Sequence, residues 1–264
     1  MDISNIRKRN RLKVQRFRSR IRLHYDFVRY KSIPKTSLFV LATGRSGSHL
    51  LVSYLNSLPD VTMRGEVLNE RQPGGIGPCT VQRLHKHIRM STLRHPTSIG
   101  GVKFLLEQIR NKGLVLSELR NHCPEVKFLV LYRKSLGEQF VSQRISKKTK
   151  EFNRLKGQLV THETVLVDSE KFIKYCQRQR QRYDDLRDDQ FVMDNSLWIS
   201  YEELTESKES LFKEKVCPFL EVPYSPLTTM LIRQNRQRLS DKVENYAQLE
   251  PLFTSSETRL DYDY

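Results

Sequence analysis

The sequence predicts an α/β fold: a central, mostly parallel sheet flanked by helices. Three observations predict it. Residues 38–42 (LFVLA) and 126–131 (VKFLVL) are short apolar runs with the length of strands buried on both faces. Each is followed by a polar turn and then by apolar residues at helical spacing, Leu50, Leu51, Tyr54, Leu55 and Leu58 after the first, Leu136, Phe140 and Val141 after the second. Strands and helices alternate along the chain, and that alternation requires crossovers and parallel pairing.

The elements follow in order. Residues 1–35 form a basic arm, in which twelve Lys or Arg stand against Asp2 and Asp26, a net +10 out of +16 for the whole chain. Such an arm contacts nucleic acid, an anionic lipid surface or a polyanionic substrate, or is a solvated tail. Pro34 marks its end, and residues 36–264 form one domain. The first strand and helix are separated by the turn 43–48 (TGRSGS), and NSLPD at 56–60 closes the helix. Residues 71–81, rich in Gly and Pro, read as a loop, and 101–106 (GVKFLL) as a strand. Residues 144–156 are polar, basic and exposed. A helix is expected over 168–187, a strand over 196–200 (SLWIS), and helices over 208–220 and 226–238. The tail after Phe253 is polar and is expected to be weakly ordered.

Several classes are excluded. No apolar stretch approaches the roughly 18–20 residues of a membrane span, and no apolar run marks a secretory leader. Cys79, Cys123, Cys176 and Cys217 show no CxxC spacing, so they read as free thiols. A soluble protein of a reducing, cytoplasmic compartment is expected. No His, Cys or Asp cluster has metal-ligand spacing, and no metal is expected.

The turn between the first strand and helix carries the chemistry. A helix N-terminus presents free N–H groups and the positive end of the helix dipole, which together attract phosphate-like anions. Gly44 and Gly47 let the backbone bend close to a ligand, Arg45 adds a charged planar fork, and Ser46, Ser48 and His49 add donors. The loop is shorter than the nucleotide-triphosphate pattern GxxxxGK[ST] and lacks its Lys, so it is poorly equipped for ATP hydrolysis. The plain alternative is a structural turn. A P-loop nucleotide kinase and a nucleic-acid-binding protein acting through the arm are the competing functional readings.

Five segments, in order, resemble the sulfotransferase superfamily, and within it the soluble bacterial enzymes related to the trehalose-sulfating type. FVLATGRSGSHLLVSYLNSLPDV at 39–61 is similar to the family's 5′-phosphosulfate-binding loop, and RGEVLN at 64–69 to its acidic segment. KFLVLYRKSLGEQFVSQRISKKT at 127–149 is similar to its 3′-phosphate strand and helix. WISYEEL at 198–204 and LSDKVENYAQL at 239–249 are similar to its YExL and NYxxL patterns. The resemblance covers residues 38–253 and leaves the arm outside. It implies a P-loop-like three-layer fold and transfer of a sulfuryl group from 3′-phosphoadenosine 5′-phosphosulfate to a hydroxyl or amine. The product would be adenosine 3′,5′-bisphosphate, and the acceptor a small molecule or glycan such as a carbohydrate or glycolipid.

The resemblance also implies roles. Gly44, Arg45, Ser46, Gly47 and Ser48 would hold the 5′-phosphosulfate. His49 departs from the small hydroxyl residue common there, and either shapes the pocket or donates to the leaving group. Arg133 and Ser142 would grip the 3′-phosphate, with Lys134 as a substitute cation, and Tyr201 would line the adenine site or belong to the core. Glu66 would be the general base, and Lys103 would neutralise charge on the bridging oxygen. Read plainly instead, Arg133 is a strand-end surface charge, Ser142 an exposed helix serine, Glu66 a loop carboxylate paired with an Arg, and Lys103 a strand-end lysine reaching for solvent. The acceptor pocket is expected from loops 71–99 and 144–168.

Overall fold

The computed structural model describes residues 34–66, 68, 97–109, 112–123, 125–151, 162–231 and 237–262. The arm up to residue 33, the loop expected over 71–81, Cys79 and residues 152–161 lie outside the described residues.

Five strands form one parallel sheet in the order β2-β3-β1-β4-β5, flanked by helices. They are β1 (Thr36–Ala42), β2 (Val61–Glu66), β3 (Ile99–Leu105), β4 (Val126–Tyr132) and β5 (Ser196–Ser200). The helices are α1 (Ser48–Leu55), α2 (Lys112–His122), α3 (Leu136–Thr149), α4 (Ser169–Arg187), α5 (Gln190–Asp194), α6 (Tyr201–Glu206), α7 (Lys208–Leu211), α8 (Cys217–Leu220), α9 (Leu239–Lys242) and α10 (Tyr246–Thr254). A π-turn, Phe212–Val216, joins α7 to α8, so the stretch expected as one helix over 208–220 is helical throughout.

The chain divides into two compact units, residues 1–42 with 58–129 and residues 43–57 with 130–264. In the first, β3 pairs in parallel with β1 from Thr36↔Ile99 to Ala42↔Leu105, and with β2 from Val61↔Ile99. A register shift after Met63 sets Glu66 opposite Lys103. Gly101 makes this close pairing possible, because a Cβ there would lie 2.0 Å from the Leu38 carbonyl oxygen and 2.7 Å from Met63 Sδ. Phe39 stacks on Phe104 at 5.6 Å and meets Phe128 at 5.9 Å, so the strand read from LFVLA is fully buried on both faces.

In the second unit the core is aromatic. Tyr132, Tyr183, Trp198 and Tyr262 form one cluster with ring centroids 5.1–6.4 Å apart. Phe140, Phe172 and Phe253 join α3, α4 and α10 in a second. The α4 helix starts where expected, with the Asp168 carboxylate accepting from the Lys171 N–H at its N-cap.

Four differences from the sequence reading have physical causes. The tail beyond Phe253 is ordered through residue 262. Leu260 and Tyr262 are buried, the Leu260 N–H donates to the Lys134 carbonyl at 2.9 Å, and the Tyr262 hydroxyl donates to Asp184 at 2.8 Å. A tail that is polar on average is held by two buried residues, one of them, Tyr262, in the aromatic cluster. The described parts of the helix expected over 226–238, residues 226–231 and 237–238, are not helical. Pro223 and Pro226 disfavour a helix there, and the Thr229 hydroxyl bonds both Ser53 and the Leu231 N–H. The strand β2 and the helix α2 have no counterpart in the sequence reading: β2 alternates weakly and its pattern is broken by Arg64 and Gly65, and α2 has a mixed polar surface. Among the described residues no helix is long and apolar enough to cross a membrane. Cys176 and Cys217 are free thiols, and burial pushes the Cys176 thiol up to about 12.

Candidate anion-binding site

Directly after β1, the chain turns through residues 43–47 into α1. Two left-handed residues shape the turn, Arg45 at φ 69° and Gly47 at φ 91° as the N-cap of α1. An arginine in that region costs on the order of 1 kcal/mol, so surrounding contacts must hold it. They do. The buried Gln139 amide of α3 donates to Thr43 Oγ1 and to the Gly44 carbonyl, both at 2.7 Å. The Tyr183 hydroxyl of α4 accepts from the Thr43 N–H at 3.2 Å and donates to the Leu131 carbonyl at 2.8 Å. Ser46 is fully buried and its hydroxyl donates to the Thr43 carbonyl at 2.8 Å, so this side chain braces the turn from within. Ser48 is buried at the first turn of α1, and His49 is exposed.

Two arginines converge on this loop. Arg45 Nε donates to Ser142 Oγ of α3 at 3.1 Å. Arg133, at the end of β4, donates from Nη1 to the Arg45 carbonyl at 3.5 Å and lies 4.5 Å over the Tyr201 ring. That ring occupies the space beside Gly47, where a Cβ would come within 2.5 Å of Tyr201 Cδ2. Arg45, Gly47, Arg133, Ser142 and Tyr201, drawn from 43–47, β4, α3 and α6, are therefore one cluster. Burial, then the charge of Arg133, pull the Arg45 guanidinium down from the usual arginine range to about 10, so it stays charged at neutral pH. Desolvating two guanidinium groups side by side is unfavourable, and an anion placed between them and the α1 N-terminus lowers that cost.

Glu66 and Lys103 belong to the other unit and are each other's partners. Lys103 Nζ lies 3.0 Å from Glu66 Oε1, and the Gln108 amide donates to Oε2 at 3.1 Å. Lys103 sits in the middle of β3 and its side chain is 1% exposed, so it is not a strand-end lysine reaching for solvent. Burial pushes its ammonium below the usual lysine range, and Glu66 opposes that shift. The carboxylate of Glu66 is paired with this lysine.

Several residues of the site escaped the sequence. Glu202, next to Tyr201 in the YEEL stretch, accepts the backbone N–H groups of Lys134 and Ser135 at 3.0 and 3.4 Å, and so fixes the turn that carries Arg133. Gln139 lies within the matched segment 127–149, but its side-chain target is set only by tertiary packing. Tyr183 carries no signal beyond a helical aromatic. Lys134 faces the C-terminal segment, 3.7 Å from Asp261. An open cavity of about 590 Å³ lies at the other end of α1, between Ser53, Ser57, Lys208 and Thr229. Among the described residues no group of three His, Cys, Asp or Glu side chains has the arrangement of a metal site.

No protein-family profile matches the chain, and no curated protein sequence does. Solved structures do resemble it. Mouse sulfotransferase SULT7A1 complexed with PAP is 16% identical with a TM-score of 0.46, over 74% of this chain and 62% of that one, so this chain spans less than two thirds of the mouse protein. The sulfotransferase domain of the Synechococcus PCC 7002 olefin synthase is 15% identical with a TM-score of 0.48, over 88% of this chain and 91% of that one. A sulfotransferase from Alicyclobacillus acidocaldarius is 15% identical with a TM-score of 0.45, over 85% and 93%. These three, and a sulfotransferase domain from the curacin biosynthetic pathway that is 16% identical with a TM-score of 0.40 over 74% of this chain and 77% of that one, are among the solved structures that this chain resembles.

Proposed function

We propose that this chain is a sulfotransferase that uses 3′-phosphoadenosine 5′-phosphosulfate as donor and a hydroxyl or amine as acceptor, the acceptor being a small molecule, carbohydrate or glycolipid. The observation that carries the reading is the convergence of Arg45 and Arg133 on a glycine-bearing turn at the N-terminus of α1, with Ser142 on one arginine and Tyr201 under the other. A nucleotide with phosphate at both ends needs two cationic contacts and a ring platform, and this cluster supplies those groups.

In this reading the loop 44–48 and Arg45 take the 5′-phosphosulfate, Arg133 and Ser142 the 3′-phosphate, and Tyr201 the adenine. The bond between sulfur and the bridging phosphate oxygen breaks as a bond from sulfur to the acceptor oxygen or nitrogen forms. The bisphosphate leaves, and the acceptor's proton passes to Glu66. Positioning and fixed positive charge supply most of the effect. Lys103, 3.0 Å from Glu66, holds that carboxylate in place and neutralises charge growing on the bridging oxygen. The arm 1–35 contacts an anionic surface through its +10 charge. The buried free thiols of Cys176 and Cys217 suit a reducing, cytoplasmic setting.

The test is thermal stabilisation by adenosine 3′,5′-bisphosphate beside ADP and Mg-ATP at equal concentration. A ligand that binds only the folded state adds about 2.7 kcal/mol at one hundred times its dissociation constant. A larger shift with the bisphosphate, abolished by Arg133→Ala, supports the donor site. A larger shift with Mg-ATP sinks it in favour of a kinase.

A further inference from the structure

Arg133 is backed by a second layer of charge. Glu138, in the first turn of α3, places Oε2 3.5 Å from Arg133 Nη2 and 2.6 Å from Lys242 Nζ. Lys242 is the last residue of α9, and its side chain is 5% exposed, against 22% for Glu138. One carboxylate oxygen therefore serves two cations, the shorter contact being the one to lysine. A carboxylate beside Arg133 cancels part of the field that the guanidinium presents to a ligand. A buried ammonium on the same oxygen opposes that cancellation, and it also fixes where the carboxylate sits.

We propose that Lys242 is a positioning residue for nucleotide binding: by holding Glu138, it keeps Arg133 oriented and electrostatically free for the 3′-phosphate, without touching the ligand. The inference rests on the donor reading given above. The chain beyond Lys242 is itself anchored to residues 165–167, by the paired Val165 and Val243 and by Asn245 Oδ1, which accepts from the Val167 N–H.

The experiment is calorimetric binding of adenosine 3′,5′-bisphosphate and of adenosine 5′-monophosphate to the full chain, its Lys242→Met and Glu138→Gln variants, and the double variant. Lys242→Met is expected to weaken the bisphosphate about tenfold and the monophosphate less than about twofold. Adding Glu138→Gln to Lys242→Met removes the competing carboxylate and restores most of the loss. Equal weakening of both nucleotides, or a double variant no better than Lys242→Met, overturns the inference. If Lys242→Met does not fold, the double variant decides: it removes both buried charges together, and a bisphosphate affinity near the unmodified protein's supports the proposal while a loss shared by both nucleotides overturns it. Failure of the unmodified chain to prefer the bisphosphate is a separate result, which overturns the donor reading itself.

Discussion

Arg45 Nε and Ser142 Oγ meet at 3.1 Å, so the serine that the family resemblance assigns to the 3′-phosphate is bonded to the arginine of the glycine-bearing turn. One hydroxyl thus joins α3 to the turn before α1 and holds a left-handed arginine in place. Ser142→Ala is expected to weaken the bisphosphate about threefold to tenfold, the net worth of one ordinary intramolecular hydrogen bond. Arg45→Lys is expected to lose more, because a lysine cannot reproduce the planar fork. Titration calorimetry on both variants checks the order.

Gly47 and Tyr201 make a second coupled pair. Gly47→Ala places a methyl in the Tyr201 ring and forces an L-residue to φ 91°. The conformational term alone is about 1 kcal/mol, and displacement of the ring adds to it. A lower melting temperature together with lost bisphosphate binding is expected. Retained binding in a folded Gly47→Ala protein would remove Tyr201 from the site.

The Glu66–Lys103 pair separates stability from chemistry. Leaving either charge buried alone is expected to destabilise by about 3–5 kcal/mol, while Glu66→Gln with Lys103→Met loses less than the sum. Chemical denaturation of the three variants gives the cycle. Glu66→Gln should abolish turnover while the bisphosphate still binds; unchanged turnover removes Glu66 from the mechanism.

The pH dependence of stability has a definite sign at Lys103. Its folded-state pKa lies below the unfolded value of 10.5, so between the two the unfolded chain binds more protons and stability rises with pH. The contribution is an unfavourable one at lower pH, released as pH rises through the folded pKa. Denaturation of the unmodified protein and of Lys103→Met, compared up to pH 10.5, should show the unmodified protein gaining on the variant.

The C-terminal segment is structural. Removing residues 256–264 takes Leu260 and Tyr262 out of the core, and a loss of several kcal/mol is expected, on the scale of about 3–5 kcal/mol for deleting a large buried aromatic. A truncated protein with unchanged melting temperature would show the segment to be dispensable.

Local pattern was enough for the elements whose burial is complete. LFVLA and VKFLVL are strands because continuous apolar runs of that length are stable only between two covered faces. SLWIS at 196–200 and the amphipathic stretch after Asp168 also carry their class in their spacing. The turn TGRSGS was legible for the same reason: glycine, arginine and serine between a strand and a helix have a local physical meaning. Partners were not legible, because side-chain pairing over a hundred residues of chain is decided by packing. Nothing in the sequence puts Ser142 on Arg45, Gln139 on Thr43 or Lys242 on Glu138, each about a hundred residues apart. Composition likewise misjudged the tail, where two buried side chains outweigh their polar neighbours. What the sequence determined by itself was the fully buried strands and the glycine-bearing turn between a strand and a helix, which depend on local periodicity and backbone freedom. What only the tertiary structure decided was which charges face one another, because a buried charge persists only where packing brings it a counter-charge or a donor.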